Sequence, residues 1–399
     1  MLENSQKILK FQTPVFFYIP SNILYFSGGE RITLDIAKEL AKKYNVKIVN
    51  NSSILPKKNT FIKNITQLEI KYGVDIESGE FKQYSRFLDI FYHELPVFDD
   101  IRVLNRGINI ILAWRLPPIS YLKKVIDLKN PVVFALHGVS IQNSIPFKPM
   151  IVLYQLYIHI YSRLISKYFK HNNLYFLVLT EYSERFMRKI GINKDKVFRI
   201  PNGINFSNCM VRNNPTRFTV LFAGRISESD KGIRRLVRIV NSFSKFDEID
   251  FIVIGRGPDE RLLKKINNPR YRFFGYVSES EKINFFANAN LFILTSNMEP
   301  YSISVLESLS SGLPVISTSV PGPLEILSNI PDSGRIAGFS RKSFFTMIME
   351  YYRQWKSDKD EYYLRKIARS DNASKFYSDA NMYEKYFKMM EMLKSYLTE

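Results

Sequence analysis

Short apolar runs alternate with amphipathic stretches along the first half of the chain. The run "PVFFYIP" precedes "ERITLDIAKELAKKY", whose apolar residues recur at helical spacing, and "VKIVN" follows. Further strands are indicated by "INIILAW", "PVVFALHG", "LYFLVLT" and "VFRIP", and a helix by "EYSERFMRKIG". This order predicts strand–helix–strand units and therefore a parallel sheet covered by helices.

A second series of the same kind begins near residue 217. Its predicted strands are "FTVLFAGR", "DFIVIGRG", "RYRFFGYV", "LFILTS" and "LPVIST". Its predicted helices are "GIRRLVRIVNSFSK", "DERLLKKIN", "ESEKINFFANA" and one around Glu307. Ser278 and Glu281 have the spacing of a capping box. Two such series predict an α/β protein with two Rossmann-like, doubly wound domains.

The polar stretch 202–217 lies between the two series and is the natural linker. We predict an N-terminal domain over 1–204, a C-terminal domain over 205–374 and a C-terminal helix over 375–399. The segment 378–397 carries its aromatic and methionine residues mostly on one face, which favours a packing helix. We expect this helix to cross back to the N-terminal domain.

Composition excludes several classes of protein. The single cysteine, Cys209, excludes an internal disulfide and a cysteine-built metal site, and the four histidines form no zinc pattern. No stretch reaches the eighteen apolar residues that are needed to span a bilayer. The polar start "MLENSQKILKFQ" is unlike a secretory signal. We therefore expect a cytoplasmic protein.

The net charge of +19 is unevenly distributed. Residues 1–200 hold 29 basic against 16 acidic residues, and 101–180 hold ten basic residues and one acid, Asp127. Such a bias attracts polyanions, namely nucleic acid, an anionic membrane or a phosphorylated substrate.

Two glutamates stand in a stretch that is otherwise almost uncharged, "MEPYSISVLESLSSGLPVIST". Glu299 follows a predicted strand, where ligands bind in parallel sheets, and Glu307 lies in the next helix. That helix would begin near Ser302, with free N–H groups suited to phosphate, and Glu307 could bind ribose hydroxyls. Each glutamate alone could equally be a solvated surface acid.

Two cations follow the first strand of the second series, in "FAGRISESDKG". Arg225 and Lys231 could clamp a diphosphate and neutralise the charge that builds up as it departs. Each alone could also be ordinary surface charge.

These segments together resemble a known family. The ordered set "AGRI…KG", "VIGRGP", "GYV", "EPYSISVLE" and "GLPVISTSVPGPLEIL" resembles the C-terminal half of glycosyltransferase family 4, over about 195–330. Members are retaining enzymes of GT-B fold that use nucleotide-sugar donors. In the first half, "SGGERI" resembles the glycine-rich loop, "ALHG" the strand-end histidine motif and "VFRIPNGI" the segment before the hinge. Taken alone, Gly28-Gly29 fits a tight turn and His137 a structural histidine.

The resemblance implies roles for individual residues. Arg225 and Lys231 would hold the donor diphosphate, Glu299 the sugar hydroxyls and Glu307 the ribose. Gly28 and Gly29 would approach the phosphates, and His137 would lie near the transferred sugar or the acceptor hydroxyl. Backbone N–H groups would contact the sugar and the phosphates; these belong to Tyr301, Ser302, Ile303 and Ser304. The nucleobase would lie against a short loop that contains Tyr276 and Val277.

The resemblance also implies the chemistry. A retaining transfer on one face needs no protein nucleophile, because the departing phosphate takes the acceptor's proton. No Asp-x-Asp motif stands at a strand end, and we expect no metal and no cofactor, with Arg225 and Lys231 in the metal's role. Three details depart from the family: Ser302 replaces a common glycine, "VPGPLEIL" has a proline where a second glycine is common, and "NIILAWRLPP" lacks an acidic-then-histidine pattern.

The acceptor side leaves two interpretations open. Residues 147–172 could form a packed helix of the N-terminal domain or an amphipathic basic segment on an anionic membrane. Because lipid-linked acceptors are common in the family, we expect a glycan or lipid-linked acceptor and peripheral association with the inner membrane face. The product would be a surface polysaccharide, lipopolysaccharide or glycolipid.

The charge and the predicted Rossmann-like domains also fit two other functions. A non-catalytic basic protein on a Rossmann scaffold could bind nucleic acid or another polyanion, but it would have no need of Glu299. The ordered donor motifs favour the transferase, so we expect no nucleic-acid partner. A dinucleotide-dependent oxidoreductase is disfavoured because "SGGERI" lacks a full G-x-G-x-x-G.

Overall fold

The structure is a computed structural model of the 399-residue chain. It describes residues 13–21, 23, 28–51, 58–79, 81–83, 94–96, 107–113, 116–126, 128–136, 165–170, 173–212 and 216–397. Contacts group them into two units. The described residues up to 136, with 165–201 and 382–397, form the first unit, and 202–212 with 216–381 form the second.

The first unit is built on a parallel sheet. Its strands, in chain order, are β1 (Pro14–Ile19), β2 (Asn45–Asn51), β3 (Asp75–Gly79), β4 (Phe81–Gln83), β5 (Glu94–Pro96), β6 (Ile108–Ala113), β7 (Val132–Leu136), β8 (Leu174–Val178) and β9 (Val197–Arg199). The order in the sheet is β3-β2-β1-β6-β7-β8-β9, while β4 and β5 form a separate antiparallel pair. Every residue of β6 and β7 is buried, as expected where helices cover both faces of a parallel sheet. The strand order reverses between β1 and β6.

Helices of the first unit present apolar faces to this sheet. They are α1 (Gly28–Leu40), α2 (Lys58–Tyr72), α3 (Ile119–Val125) and α4 (Glu181–Lys189). In α1 the buried positions include Ile32, Leu34 and Ile36, which confirms the predicted amphipathic helix. The start of α4 is capped by Thr180, whose hydroxyl accepts the Ser183 N–H at 3.2 Å.

The second unit repeats the architecture. Its strands are β10 (Phe218–Ala223), β11 (Ile249–Ile254), β12 (Tyr271–Phe273), β13 (Leu291–Leu294), β14 (Val315–Ser317) and β15 (Gly334–Ile336). They are parallel and lie in the order β12-β11-β10-β13-β14-β15. Here the order reverses between β10 and β13. The predicted α/β fold with two doubly wound sheets is thus confirmed.

Seven helices among the described residues surround this second sheet. They are α5 (Glu228–Lys231), α6 (Ile233–Asn241), α7 (Glu279–Asn288), α8 (Ile303–Ser310), α9 (Pro321–Asn329), α10 (Arg341–Ser357) and α11 (Lys359–Tyr377). The predicted capping box is present, because Ser278 and Glu281 bond reciprocally at the start of α7. Aromatic side chains fill the core between β10 and α10, where Phe218 contacts Tyr352 and Trp355.

The last helix returns to the first unit. Helix α12 (Asp379–Lys394) joins the first unit from Met382 onward and buries an apolar face there. The Tyr44 hydroxyl donates to Glu391 at 2.7 Å, and the Tyr44 ring stacks on Phe387 at 6.4 Å. The expected packing of the C-terminal helix on the N-terminal domain is therefore confirmed.

Two predicted elements differ in the structure. "DERLLKKIN" forms a 3₁₀ helix (Glu260–Lys265) instead of an α-helix, because only Leu262 and Leu263 are buried and no apolar stripe supports further turns. The strand predicted over "RYRFFGYV" ends at Phe273, since Gly275 has a φ of 67° and turns the chain out of the sheet.

Candidate functional site

Two loops follow the strands at which the second sheet reverses its order. In doubly wound sheets ligands bind beyond the carboxyl ends of the strands at this point. Residues 224–232 follow β10, and residues 295–302 follow β13. The Asn297 N–H donates to the Asp230 carbonyl at 2.7 Å, and the Thr295 hydroxyl donates to the Lys231 carbonyl at 2.8 Å. The two loops therefore form one continuous surface.

Lys231 and Glu299 meet directly on this surface. The Lys231 ammonium group contacts the Glu299 carboxylate, and the Ser296 hydroxyl donates to the same carboxylate oxygen at 3.2 Å. The two side chains are only 16% and 12% exposed, so water screens their attraction weakly. Gly232 turns the chain just after Lys231 with a φ of 62°, and a Cβ there would overlap the Thr295 carbonyl.

Arg225 adds a second cation to the loop that carries Lys231. Its side chain is exposed and forms no hydrogen bond or ion pair with any other described residue. A Cβ built on Gly224 would lie 3.7 Å from the Lys231 side chain, so the backbone leading into Arg225 is next to Lys231. The three groups together carry one net positive charge, and they can attract an anion with several oxygens.

The start of helix α8 lies beside the same pair. Ser302 caps it with φ 145° and ψ 98°, a conformation that favours glycine, and its hydroxyl lies 3.2 Å from that of Ser304. The first N–H groups of a helix have no partner inside it, and none is present for Ile303 or Ser304 among the described residues. These groups are available to an anion.

Tyr301 can offer only its backbone to a ligand at this site, because its side chain is buried in the protein. Its ring is buried, and its hydroxyl donates to the Asn202 carbonyl at 2.8 Å. Burial raises the pKa of this hydroxyl well above its usual value. Helix α9 supports the loop from the other side, because the Gly322 N–H donates to the Glu299 carbonyl at 3.1 Å. A Cβ on Gly322 would overlap the Tyr301 backbone, so glycine is required for this close approach.

Glu307 has a partner that the sequence analysis missed. The Lys282 ammonium lies 2.7 Å from Glu307 and 2.9 Å from Glu279. Lys282 precedes Glu307 by 25 residues and belongs to a different helix, α7. No local sequence pattern could have revealed this contact.

The two strands β11 and β12 end in loops that bear an aromatic ring and a cation. Tyr276 is 73% exposed, and the Arg256 guanidinium lies 4.9 Å from its ring centre. The Arg256 carbonyl accepts the Ile226 N–H at 3.0 Å, which ties this loop to the one that carries Arg225. The ring suits stacking of a planar group, with half-buried Val277 beside it. Arg256 is a second residue that the sequence analysis missed.

Two sequence-predicted residues lie in the first unit. Gly28 and Gly29 form the first turn of α1, exposed and half-buried respectively. The next residue, Glu30, is buried, and its carboxylate accepts a hydrogen bond from the Ser21 hydroxyl. His137 lies outside the described residues, as do 147–164 and 171–172 of the basic segment 147–172.

Metal binding and membrane spanning find no support in the part of the chain that the structure describes. Within the ranges given above, no group of three or more His, Cys, Asp or Glu side chains could hold a metal ion. None of the described helices is long and apolar enough to cross a membrane.

Sequence comparisons match about a third of the chain. Residues 210–342 match the family model described as glycosyl transferases group 1. A 2-deoxystreptamine N-acetyl-D-glucosaminyltransferase of Niallia circulans is 31% identical over 137 residues, which are 32% of this chain and 35% of that protein. A probable sucrose-phosphate synthase of Thermosipho melanesiensis is 28% identical over 152 residues, 34% and 35% of the two chains. The matches span about a third of these curated relatives.

Structural comparisons cover nearly the whole chain. Anabaena HepE in complex with UDP has a TM-score of 0.69 at 14% identity, over 95% of this chain and 100% of that one. Sucrose-phosphate synthase of Thermosynechococcus elongatus has a TM-score of 0.65 at 13% identity, over 96% and 99%. At such identities the likeness shows the fold alone, and that fold is GT-B.

Proposed function

We propose that the protein is a glycosyltransferase that moves a sugar from a nucleotide-diphosphate sugar to a hydroxyl acceptor with retention of configuration. The observation that carries this proposal is the contact of Lys231 with Glu299 where the second sheet reverses, with the exposed Arg225 in the same loop as Lys231. All three residues lie within the part that matches the glycosyltransferase family model.

The diphosphate of the donor would lie against the two cations and the start of α8. Arg225 and Lys231 supply charge-assisted hydrogen bonds that strengthen as the leaving phosphate becomes more negative. The free N–H groups of Ile303 and Ser304 add partial positive charge at the same place. In this proposal the cations do the work that a divalent metal does in other transferases.

Glu299 would hold the donor sugar. It already accepts bonds from Lys231 and Ser296, which orient its carboxylate. A carboxylate so placed can accept hydrogen bonds from sugar hydroxyls, and this orientation favours attack on the face from which the phosphate leaves. The leaving phosphate then takes the proton of the acceptor hydroxyl, so the configuration is retained without a protein nucleophile.

The nucleoside of the donor would bind at the same edge of the second sheet, next to the diphosphate. Glu307 accepts from the ribose hydroxyls, and the exposed Tyr276 ring, with Arg256 over it, stacks on the base. Contributions of Gly28 and Gly29 to the phosphates, and of His137 to the sugar, stay predictions.

The acceptor would be a glycan or a lipid-linked saccharide at an anionic membrane. The excess of basic residues over 101–180 supports this part of the proposal. Flotation with anionic and neutral vesicles at low salt tests it, and we expect binding to the anionic vesicles alone. Equal recovery with both kinds, or binding to neither, would contradict it.

The donor is tested with a panel of nucleotide sugars, scored by thermal stabilisation and by slow release of nucleoside diphosphate. We expect one donor to stand out, Glu299→Gln to abolish its turnover, and NMR of the freshly released sugar to show the donor's anomeric configuration. Arg225→Ala should weaken donor binding about tenfold, as for loss of one charge-assisted bond. Arg353→Ala is the matched control, since Arg353 is also exposed and unpaired among the described residues.

Two results would count against the proposal. Inverted sugar would contradict retention alone. Equal stabilisation by every polyanion, with no nucleotide sugar turned over, would instead favour a non-catalytic polyanion-binding protein.

A further inference from the structure

Lys282 joins two carboxylates from different helices. Its ammonium group lies 2.7 Å from Glu307 of α8 and 2.9 Å from Glu279 of its own helix α7. The Lys282 and Glu307 side chains are 23% and 18% exposed, whereas Glu279 is 52% exposed. The contact to Glu307 is therefore the better shielded of the two, and the stronger.

Both helices are held firmly, so the contact sets the position of the Glu307 carboxylate. The Ser278 capping box secures the start of α7, and α8 buries Val305, Leu306 and Leu309 against the sheet. Burial lowers the pKa of Lys282, but the two carboxylates outweigh burial and raise it above the usual lysine value. Lys282 thus stays charged at neutral pH and keeps its hold on Glu307.

We propose that Lys282 is a positioning residue that orients Glu307 toward the two ribose hydroxyls, so that the site discriminates against 2′-deoxynucleotides. This inference rests on the proposed function, in which Glu307 binds the ribose. A carboxylate can accept hydrogen bonds from both hydroxyls of a vicinal diol only when it is held in one orientation. Without the ammonium group, the glutamate must lose side-chain freedom at the moment of binding, which weakens the complex.

A purely structural role for the pair makes a different prediction. If Lys282 only fastens α7 to α8, its removal lowers the melting temperature and affects ribo- and deoxynucleotides alike. If Lys282 orients Glu307, its removal weakens only the ligand that offers both hydroxyls. The ratio of the two dissociation constants separates these roles.

The experiment is isothermal titration of UDP, 2′-deoxy-UDP, GDP and 2′-deoxy-GDP into the full chain. We expect the wild type to bind one ribonucleotide about tenfold or more tightly than its deoxy form. Lys282→Met should weaken that ribonucleotide about tenfold and leave the deoxy form unchanged, so that the preference disappears. Lys282→Arg keeps the charge and should retain most of it.

Control variants make the result decisive. Lys388→Met removes a lysine of another helix, paired with Glu384 at 2.5 Å, and should leave the ratio at the wild-type value. The double variant Lys282→Met/Glu307→Gln removes both charges of the better shielded contact, leaving only the more exposed Glu279 carboxylate without Lys282, and should fold with the same lost preference. Its melting temperature shows whether a fold defect explains the single variant.

Three outcomes would overturn the inference, each at a different level. Equal weakening of both nucleotides by Lys282→Met would show a merely structural role. Wild-type discrimination in Glu307→Gln would show that Glu307 does not read the ribose. Binding of none of the four nucleotides by the wild type would overturn the inference for uridine and guanosine donors, and would refute the proposed function itself if the donor panel also showed no nucleotide sugar turned over.

Discussion

The two sheets share the doubly wound topology but carry different chemistry at the carboxyl ends of their strands. After β10 and β13 the second sheet brings together the Lys231 ammonium group and the Glu299 carboxylate, and the loop after β10 also carries Arg225, which has no hydrogen-bonded or ion-paired side-chain partner among the described residues. At the first sheet the ends of β1 and β2 are tied by an amide, since Asn50 donates to the Ile19 and Ser21 carbonyls at 3.0 and 2.7 Å. The doubly wound fold supplies the place, and the loop side chains supply the function.

Buried cations support the second unit from below its surface. In the second unit helix α11 buries two cations, Lys366 and Arg369, which bind main-chain carbonyls at the ends of neighbouring helices. Lys366 donates to the Ala289 carbonyl at 3.0 Å, at the end of α7, and Arg369 donates to the Gly312 carbonyl at 2.5 Å, just after α8. Because α7 and α8 carry Lys282 and Glu307, these buried cations hold the frame on which that pair is built.

The largest effect is expected from Lys231→Met. Loss of a cation aimed at the leaving phosphate should lower the rate of nucleotide-sugar turnover by about 10²–10³, as for removal of one oxyanion-stabilising donor. Stopped-time assays of nucleoside diphosphate release measure it. Lys388→Met is the control for loss of a paired lysine elsewhere and should turn over at the wild-type rate. A Lys231→Met rate within threefold of wild type would show that Lys231 does not stabilise the leaving phosphate, and the second sheet would then have no catalytic cation at this position.

The second effect is a pH dependence of stability from Lys366. Burial lowers its pKa to about 7, against 10.5 for an ordinary lysine, so the unfolded chain binds more protons between those values. Stability should therefore rise with pH across this window, by at most about 1.4 kcal/mol per pH unit. Urea unfolding of wild type and Lys366→Met at pH 7, 8 and 9 measures the difference in slope. Parallel slopes would mean that Lys366 stays charged in the folded protein.

The third prediction concerns the amide at the first sheet. Asn50→Leu removes one buried and one partly buried hydrogen bond and should lower the free energy of unfolding by about 1–3 kcal/mol, since the Ile19 and Ser21 carbonyls lose a donor. Chemical denaturation gives that value. Nucleoside diphosphate affinity should not change, because the cations that we assign to the diphosphate, Arg225 and Lys231, lie at the second sheet. A large affinity loss in this variant, with stability intact, would move the anion site to the first sheet.

The smallest effect is expected at Ser302. Ser302→Gly relieves a backbone conformation that costs a serine about 1 kcal/mol or more, while glycine adds freedom to the unfolded chain, so the net gain should be below about 1 kcal/mol. Thermal unfolding checks it. Ser374→Gly, within helix α11, should instead destabilise by about 0.5–1 kcal/mol. A destabilised Ser302→Gly would show that the serine hydroxyl outweighs the strain.

Part of the site could be predicted from the chain alone. Lys231 and Glu299 each follow a strand by a few residues, and the carboxyl ends of parallel strands meet at one edge, so their contact follows from topology. Lys282 and Arg256 could not be found this way. Each lies on an element whose partner, Glu307 or Tyr276, is brought near only by the packing of a helix or loop.

The sequence by itself determined the two parallel sheets, the return of the last helix and the edge at which the second sheet gathers its charges. Hydrophobic periodicity and strand–helix alternation are local properties, and they leave few topologies open. Tertiary structure alone decided which carboxylate each lysine binds, that the Tyr301 ring is buried and that Ser302 adopts a glycine-like backbone. These features depend on side-chain rotamers and on close packing between segments far apart in the chain, which no local pattern specifies.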